Sequence, residues 1–114
     1  MSETKFIEDL KSTTVESNLK AYKDIFEKTT LNNEVKDPYW KDALLLFNSL
    51  NNDQKRIFFS ILRQVAIDTT AQILGILDGT SSMDGYDAEF KLTTSENGQV
   101  INGDLQDIFL ASVE

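Results

Sequence analysis

The chain has 114 residues, 40% of them hydrophobic, and its 19 acidic and 11 basic side chains give a net charge of −8. It contains neither cysteine nor histidine, which excludes disulfides, thiolate chemistry and the commonest general base and metal ligand. These properties predict one small soluble domain over residues 1–114, without a metal, another cofactor or catalytic residues.

The first predicted element is helical and runs from about Glu3 to Lys28. Val15, Leu19, Tyr22 and Phe26 follow one another at steps of four, three and four residues, which places them on one helix face. The stretch 12–14 is Ser-Thr-Thr, and these residues favour caps over helix interiors. We therefore expect a break into two helices there.

Two further helices are predicted in the middle of the chain. The first opens with Asp37 as N-cap and Pro38 at its first position, and it ends at Asn51 and Asn52, which can also cap the next helix. The second runs from about residue 53 to 77, roughly 38 Å, and Asp78 and Gly79 supply its stop. Because of its length, we interpret it as a central helix on which the rest of the chain packs.

The sequence of the last third of the chain predicts a β-hairpin followed by a helix. Apolar and polar residues alternate over 86–93, Asn97 and Gly98 form a hairpin turn signal, and residues 99–102 supply the returning strand. A final helix starts near Asp104, which is placed to cap it, and carries Leu105 and Phe109. The predicted fold class is α+β, mainly α: a helical body around a long central helix, with a small C-terminal β-hairpin and a closing helix.

The negative charge is confined to the second half of the chain. Residues 1–63 hold ten acids and ten bases, whereas residues 64–114 hold nine acids and a single base, Lys91. Such a field repels phosphate backbones, so we expect no nucleic-acid partner, and it attracts basic proteins. We expect a basic protein partner to bind the following residues: Asp84, Asp87, Glu89, Glu96, Asp104 and Asp107.

The start MSETKFIEDL is acidic and does not match a signal peptide, and no uncharged stretch reaches the roughly 18 residues of a membrane span. We therefore expect a cytoplasmic protein that does not enter a membrane. The absence of cysteine fits a reducing compartment.

Two alternatives to protein binding depend on carboxylates. The twelve residues from Asp78 to Glu89 match the length of a calcium-binding loop, but position six is Met83 where the loop needs glycine. Asp68 lies in the apolar half of the long helix and, if buried, would need a partner such as Gln72. A small enzyme or ligand-binding domain would bring Asp68 or Asp104 into a concave pocket.

A third alternative is a structural homodimer. It would be built on the long predicted helix. The aromatic pairs Tyr39-Trp40 and Phe58-Phe59 point to opposite or broad helix sides, and a helix that is apolar all round must be covered by another surface. A second copy of the chain could cover it.

The segment from Asp87 to Ala111, DAEFKLTTSENGQVINGDLQDIFLA, resembles the tail of small acidic bacterial proteins of unassigned function. In size and charge the chain also resembles toxin-neutralising immunity proteins. This resemblance implies a cytoplasmic, non-catalytic inhibitor of a protein, but it carries no motif from which site residues can be transferred.

Overall fold

The computed structural model describes residues 2–85 and 88–114. Its helices follow one another in this order: α1 (Glu3–Lys11), a π-helical segment (Ser12–Ser17), α2 (Asn18–Lys28), α3 (Pro38–Asn48), α4 (Asn52–Asp78) and α5 (Leu105–Val113). The mainly helical body, the long helix and the closing helix were predicted. The described residues contain no β-hairpin, and positions 86 and 87 of the predicted first strand lie outside them.

Residues 3–28 form one continuous helix, so the predicted break at 12–14 is wrong. The chain widens into a π-helical turn there instead of ending. The hydroxyls of Thr13 and Thr14 donate to the carbonyls of Asp9 and Leu10, each at 3.0 Å. Hydroxyl bonds of this kind bend a helix without terminating it. The turn places Val15 in the core with no exposed surface.

The start of α3 and both ends of α4 follow from local chemistry, as predicted, whereas α3 ends earlier than predicted, at Asn48. Asp37 caps α3 by accepting from the Tyr39 N–H at 2.9 Å, and Pro38 occupies the first turn. Asn51 and Gln54 form a reciprocal capping box at the start of α4. At the other end Gly79 adopts a φ of 83°, which ends the helix in the left-handed conformation.

Residues 88–102 contain no strand, which corrects the α+β prediction. The chain does reverse direction at residues 95–98, but the ladder is a single bridge between Thr93 and Val100. The Asn102 side chain replaces the rest of the ladder. Its amide oxygen accepts from the Leu92 N–H and its nitrogen donates to the Phe90 carbonyl, each at 2.8 Å. These are backbone groups that a longer returning strand would have bonded.

The core is divided between the two halves of α4. One cluster of buried residues lies at its C-terminal half, with α1, the π-helical segment and α5: Ile7, Val15, Ile67, Ala71, Leu74, Leu105 and Phe109. The other lies at its N-terminal half, with α2 and α3: Phe26, Leu44, Phe47 and Phe59. The molecule is consequently elongated, measuring 51 × 31 × 26 Å.

Candidate functional site

The acidic residues singled out in the sequence lie on the surface of the C-terminal third. Asp84 and Glu89 lie in the segment after α4, Glu96 lies at the chain reversal, and Asp104 and Asp107 lie at the start of α5. All five side chains are exposed. The sixth predicted residue, Asp87, lies outside the described residues.

These five carboxylates form no ion pair within residues 2–85 and 88–114. The ion pairs there all join residues at or before position 63, for example Lys5 with Asp9 at 2.7 Å and Arg63 with Glu16 at 3.0 Å. One lysine from the first half does reach the C-terminal helix. Lys11 donates to the Ser112 carbonyl at 2.8 Å, and so it binds the end of α5 instead of a carboxylate. The negative charge of the C-terminal third is thus not neutralised by the first half.

A group of polar side chains fixes the acidic segment to α4. The Asn102 side chain donates to the Leu77 carbonyl as well as to the segment after α4. The Gln106 side chain donates to the Ala71 carbonyl at 3.0 Å and accepts from the Thr80 hydroxyl at 3.0 Å. These bonds are made by side-chain amides and a hydroxyl. They hold the segment on α4 without involving its carboxylates.

Asp104 does not cap α5 with its side chain, which corrects that expectation. Asp78 takes this role from the end of α4. Its carboxylate accepts from the Gln106 N–H at 2.8 Å and from the Gly103 N–H at 2.6 Å. The Asp104 side chain therefore stays exposed beside the positive end of the α5 dipole, as does Asp107.

Asp68 is exposed, and its carboxylate accepts from the side chain of Gln64, one turn earlier, at 2.8 Å. The partner considered from the sequence, Gln72, does not take part in this bond. No group of three or more Asp, Glu, His or Cys side chains within residues 2–85 and 88–114 could hold a metal ion. In the part of the chain that the structure describes, every buried side-chain nitrogen and oxygen has a hydrogen-bond partner.

A second surface, on α4, is apolar and exposed. Ile57, Ile61, Val65 and Ile73 are each between 44% and 57% exposed. A groove of about 490 Å³ follows the C-terminal half of α4, and its lining includes Leu19, Tyr22 and Tyr39. A smaller groove of about 210 Å³ lies where Leu46 and Leu50 meet the N-terminal half of α4. The described residues therefore cover the predicted central helix on one side only.

By length and composition alone, α4 could cross a membrane, although the sequence predicted no span. Its 27 residues include a stretch of 18 with a mean hydropathy of 1.2, of which 22% is buried. The core helix of a soluble protein can meet the same criteria, but it would be mostly buried. The low buried fraction of this stretch agrees with the exposure of one side of α4.

Sequence reasoning located the acidic side chains but missed two features of their setting. The Asp78 cap joins residues 28 positions apart, and no local pattern marks such a pairing. The exposed face of α4 did leave a signal, because Ile57, Ile61 and Val65 recur at steps of four residues and Ile73 follows two steps later. That spacing also fits a buried face, so the sequence does not distinguish an exposed apolar face from a buried one.

No family model, no curated protein and no solved structure matches the chain.

Proposed function

We propose that this protein is a non-catalytic protein-binding domain that engages a basic protein through its acidic C-terminal third. An immunity-type inhibitor, which neutralises a basic toxin, is the concrete form of this proposal. The observation that carries it is the exposure of five carboxylates without a cationic partner among the described residues: Asp84, Glu89, Glu96, Asp104 and Asp107.

Electrostatics explains how such a surface would work. A single exposed carboxylate contributes little to affinity, because water and salt screen it. Several carboxylates of one sign produce a field that raises the rate of encounter with a basic protein. Lys91 is the only base after position 63, so the chain itself supplies little to weaken that field.

The experiment compares two triple variants with the same change in net charge. The first reverses acids in the C-terminal third: Asp84→Lys, Glu89→Lys and Glu96→Lys. The second reverses acids in the first half that are also exposed and outside the described ion pairs: Glu27→Lys, Glu34→Lys and Asp42→Lys. Each immobilised protein is exposed to a lysate of the source cells at low salt, and retained proteins are identified and eluted with salt.

We expect the wild-type protein and the first-half variant to retain the same basic protein, and the C-terminal variant to lose it. Equal loss by both variants would mean that net charge alone attracts the protein. Equal retention by both, or retention of no basic protein at all, would contradict the proposal.

A further inference from the structure

The exposed apolar face of α4 is built on a single row of residues at four-residue spacing. The row, called the α4 row below, consists of Ile57, Ile61, Val65, Thr69 and Ile73. All five side chains are exposed. Neighbouring positions point inward: Phe59, Ile67, Thr70 and Leu74 are buried in the two core clusters or beside them.

The α4 row is symmetric about Val65. Ile61 and Thr69 are four residues from it on either side, and Ile57 and Ile73 are eight residues away. Two such rows that meet antiparallel can share a twofold axis at Val65, so that Ile61 of each copy lies opposite Thr69 of the other. This self-complementarity is what an isologous dimer interface needs.

Helix geometry determines which members of the row would touch. With 3.6 residues per turn, each step of four turns the row by about 40° around the helix. Ile61, Val65 and Thr69 therefore lie at the centre of one face. Ile57 lies towards Leu46 in the smaller groove, and Ile73 towards Tyr22 in the larger one. Ridges at four-residue spacing pack into one another at about −50°, the commonest class of helix crossing.

The exposed area of the chain is large enough for such an interface. The accessible surface is 7951 Å², whereas a compact monomer of 12.9 kDa is expected to expose about 6,300 Å². The excess, roughly 1,600 Å², is larger than the ~800 Å² that each partner contributes to a standard interface. A second copy could cover the α4 row and its grooves within that excess.

The distribution of charge favours the antiparallel arrangement. The α4 row has no charged member, and the acidic excess of the chain lies entirely after position 63. An antiparallel pair places the C-terminal half of one α4 beside the N-terminal half of the other. The two acidic regions then lie towards opposite ends of a helix of roughly 40 Å, several Debye lengths apart at physiological salt.

We infer that the protein forms a homodimer through α4, with a twofold axis at Val65 and antiparallel α4 rows in contact. The acidic C-terminal third of each copy stays outside the interface. The dimer is therefore independent of the basic partner proposed above, and either proposal can fail without the other.

Cysteine cross-linking tests the twofold axis directly, because the natural chain has no cysteine. At an interaxial distance of about 8–10 Å, two facing Cα atoms come within roughly 6 Å, which a disulfide can span. We expect Val65→Cys to form a disulfide-linked dimer under mild oxidation. Ile61→Cys and Thr69→Cys should cross-link when the two variants are mixed, and neither should do so efficiently alone. Leu110→Cys is the control, since Leu110 is exposed on α5 outside the row.

Light scattering and sedimentation velocity of the full chain test the assembly without cross-linking. The wild-type protein should show twice its 12.9 kDa monomer mass at micromolar concentrations. Val65→Glu places two carboxylates together at the axis and should weaken the dimer at least tenfold, whereas Leu110→Glu should leave it intact. Circular dichroism confirms that both variants keep their helices.

Three results would overturn the inference. The first is a monomeric wild-type protein up to several hundred micromolar. The second is Val65→Cys cross-linking no faster than Leu110→Cys. The third is a monomer that co-sediments with phosphatidylcholine vesicles through α4, which would assign the apolar face to lipid instead of a second copy.

Discussion

The carboxylate of Asp78 accepts a hydrogen bond from the backbone N–H of Gln106 at 2.8 Å, so the last residue of α4 caps the first turn of α5. The Gln106 side chain in turn donates to the Ala71 carbonyl on α4 at 3.0 Å. These two bonds position α5 on α4. They also hold Asp104 and Asp107 at the surface, where our proposal needs them.

We expect Asp78→Ala to destabilise the protein by about 1–2 kcal/mol, the usual loss for a helix N-cap. The backbone N–H groups of Gly103 and Gln106 would lose their acceptor. Urea unfolding measures the effect. Asp104→Ala is the matched control, because Asp104 stands at the N-cap position but makes no side-chain cap bond. An effect of Asp104→Ala as large as that of Asp78→Ala would show that the assignment of the cap is wrong.

We expect Gly75→Ala to destabilise the protein by about 1 kcal/mol, although alanine normally favours a helix interior over glycine by about 0.5–1 kcal/mol. A Cβ at this position would lie 2.5 Å from the Gln106 Nε2 atom and 2.6 Å from the Ser81 Oγ atom. The Gln106 side chain cannot retreat without losing its bonds to Ala71 and Thr80.

The double variant with Gln106→Ala checks this explanation. In that background Gly75→Ala should become neutral or stabilising, because the Gln106 contacts are gone, the Ser81 hydroxyl can rotate away about a single bond, and the helix preference of alanine remains. Destabilisation of equal size in both backgrounds would assign the cost to a different contact.

Leu44→Ala and Leu105→Ala should each cost about 2–5 kcal/mol, because both side chains are buried. The two leucines belong to separate core clusters. We therefore expect the cost of the double variant to equal the sum of the single costs to within about 0.5 kcal/mol. Unfolding by urea, with hydrogen exchange to locate the effect, tests this. Strong coupling between the two sites would contradict the division of the core along α4.

The pKa of Asp24 is lowered below its ordinary value, chiefly by the hydrogen bond from Lys20 at 3.0 Å, with a smaller contribution from Lys28 at 3.5 Å. The stabilisation from this cluster is present above the ordinary carboxyl pKa. It is lost as the pH falls through the lowered folded-state value. In an NMR titration, Lys20→Met should raise the pKa of Asp24 more than Lys28→Met does. The reverse order would contradict the geometry.

Local sequence signals predicted the helix ends well, because capping depends on residues close in the chain. Asp37, Pro38, Asn51 and Gly79 act as the sequence indicated. The hairpin prediction failed because Asn102 replaces the strand ladder with side-chain bonds to Leu92 and Phe90, 10 and 12 positions away. The alternation of apolar and polar residues and the turn signal do not indicate that a side chain will replace the hydrogen bonds of a strand.

The candidate surfaces were predictable to different degrees. The acidic side chains could be named from the charge distribution, but their freedom from ion pairs depends on where Lys11 and Arg63 point in the fold. The spacing of the α4 row could be read from the sequence. The sequence did not reveal which face of α4 the core leaves exposed, because that depends on the positions of α2, α3 and α5.

The association rate with the retained basic protein tests the central claim most directly. It is measured by stopped flow at about 20 mM and 300 mM salt for the wild-type protein and both triple variants. Electrostatic steering predicts that the C-terminal reversal of Asp84, Glu89 and Glu96 slows association at least tenfold at low salt, with the difference shrinking at high salt. The matched first-half reversal should change the rate far less. Equal rates for the two variants at low salt would contradict a binding surface in the C-terminal third.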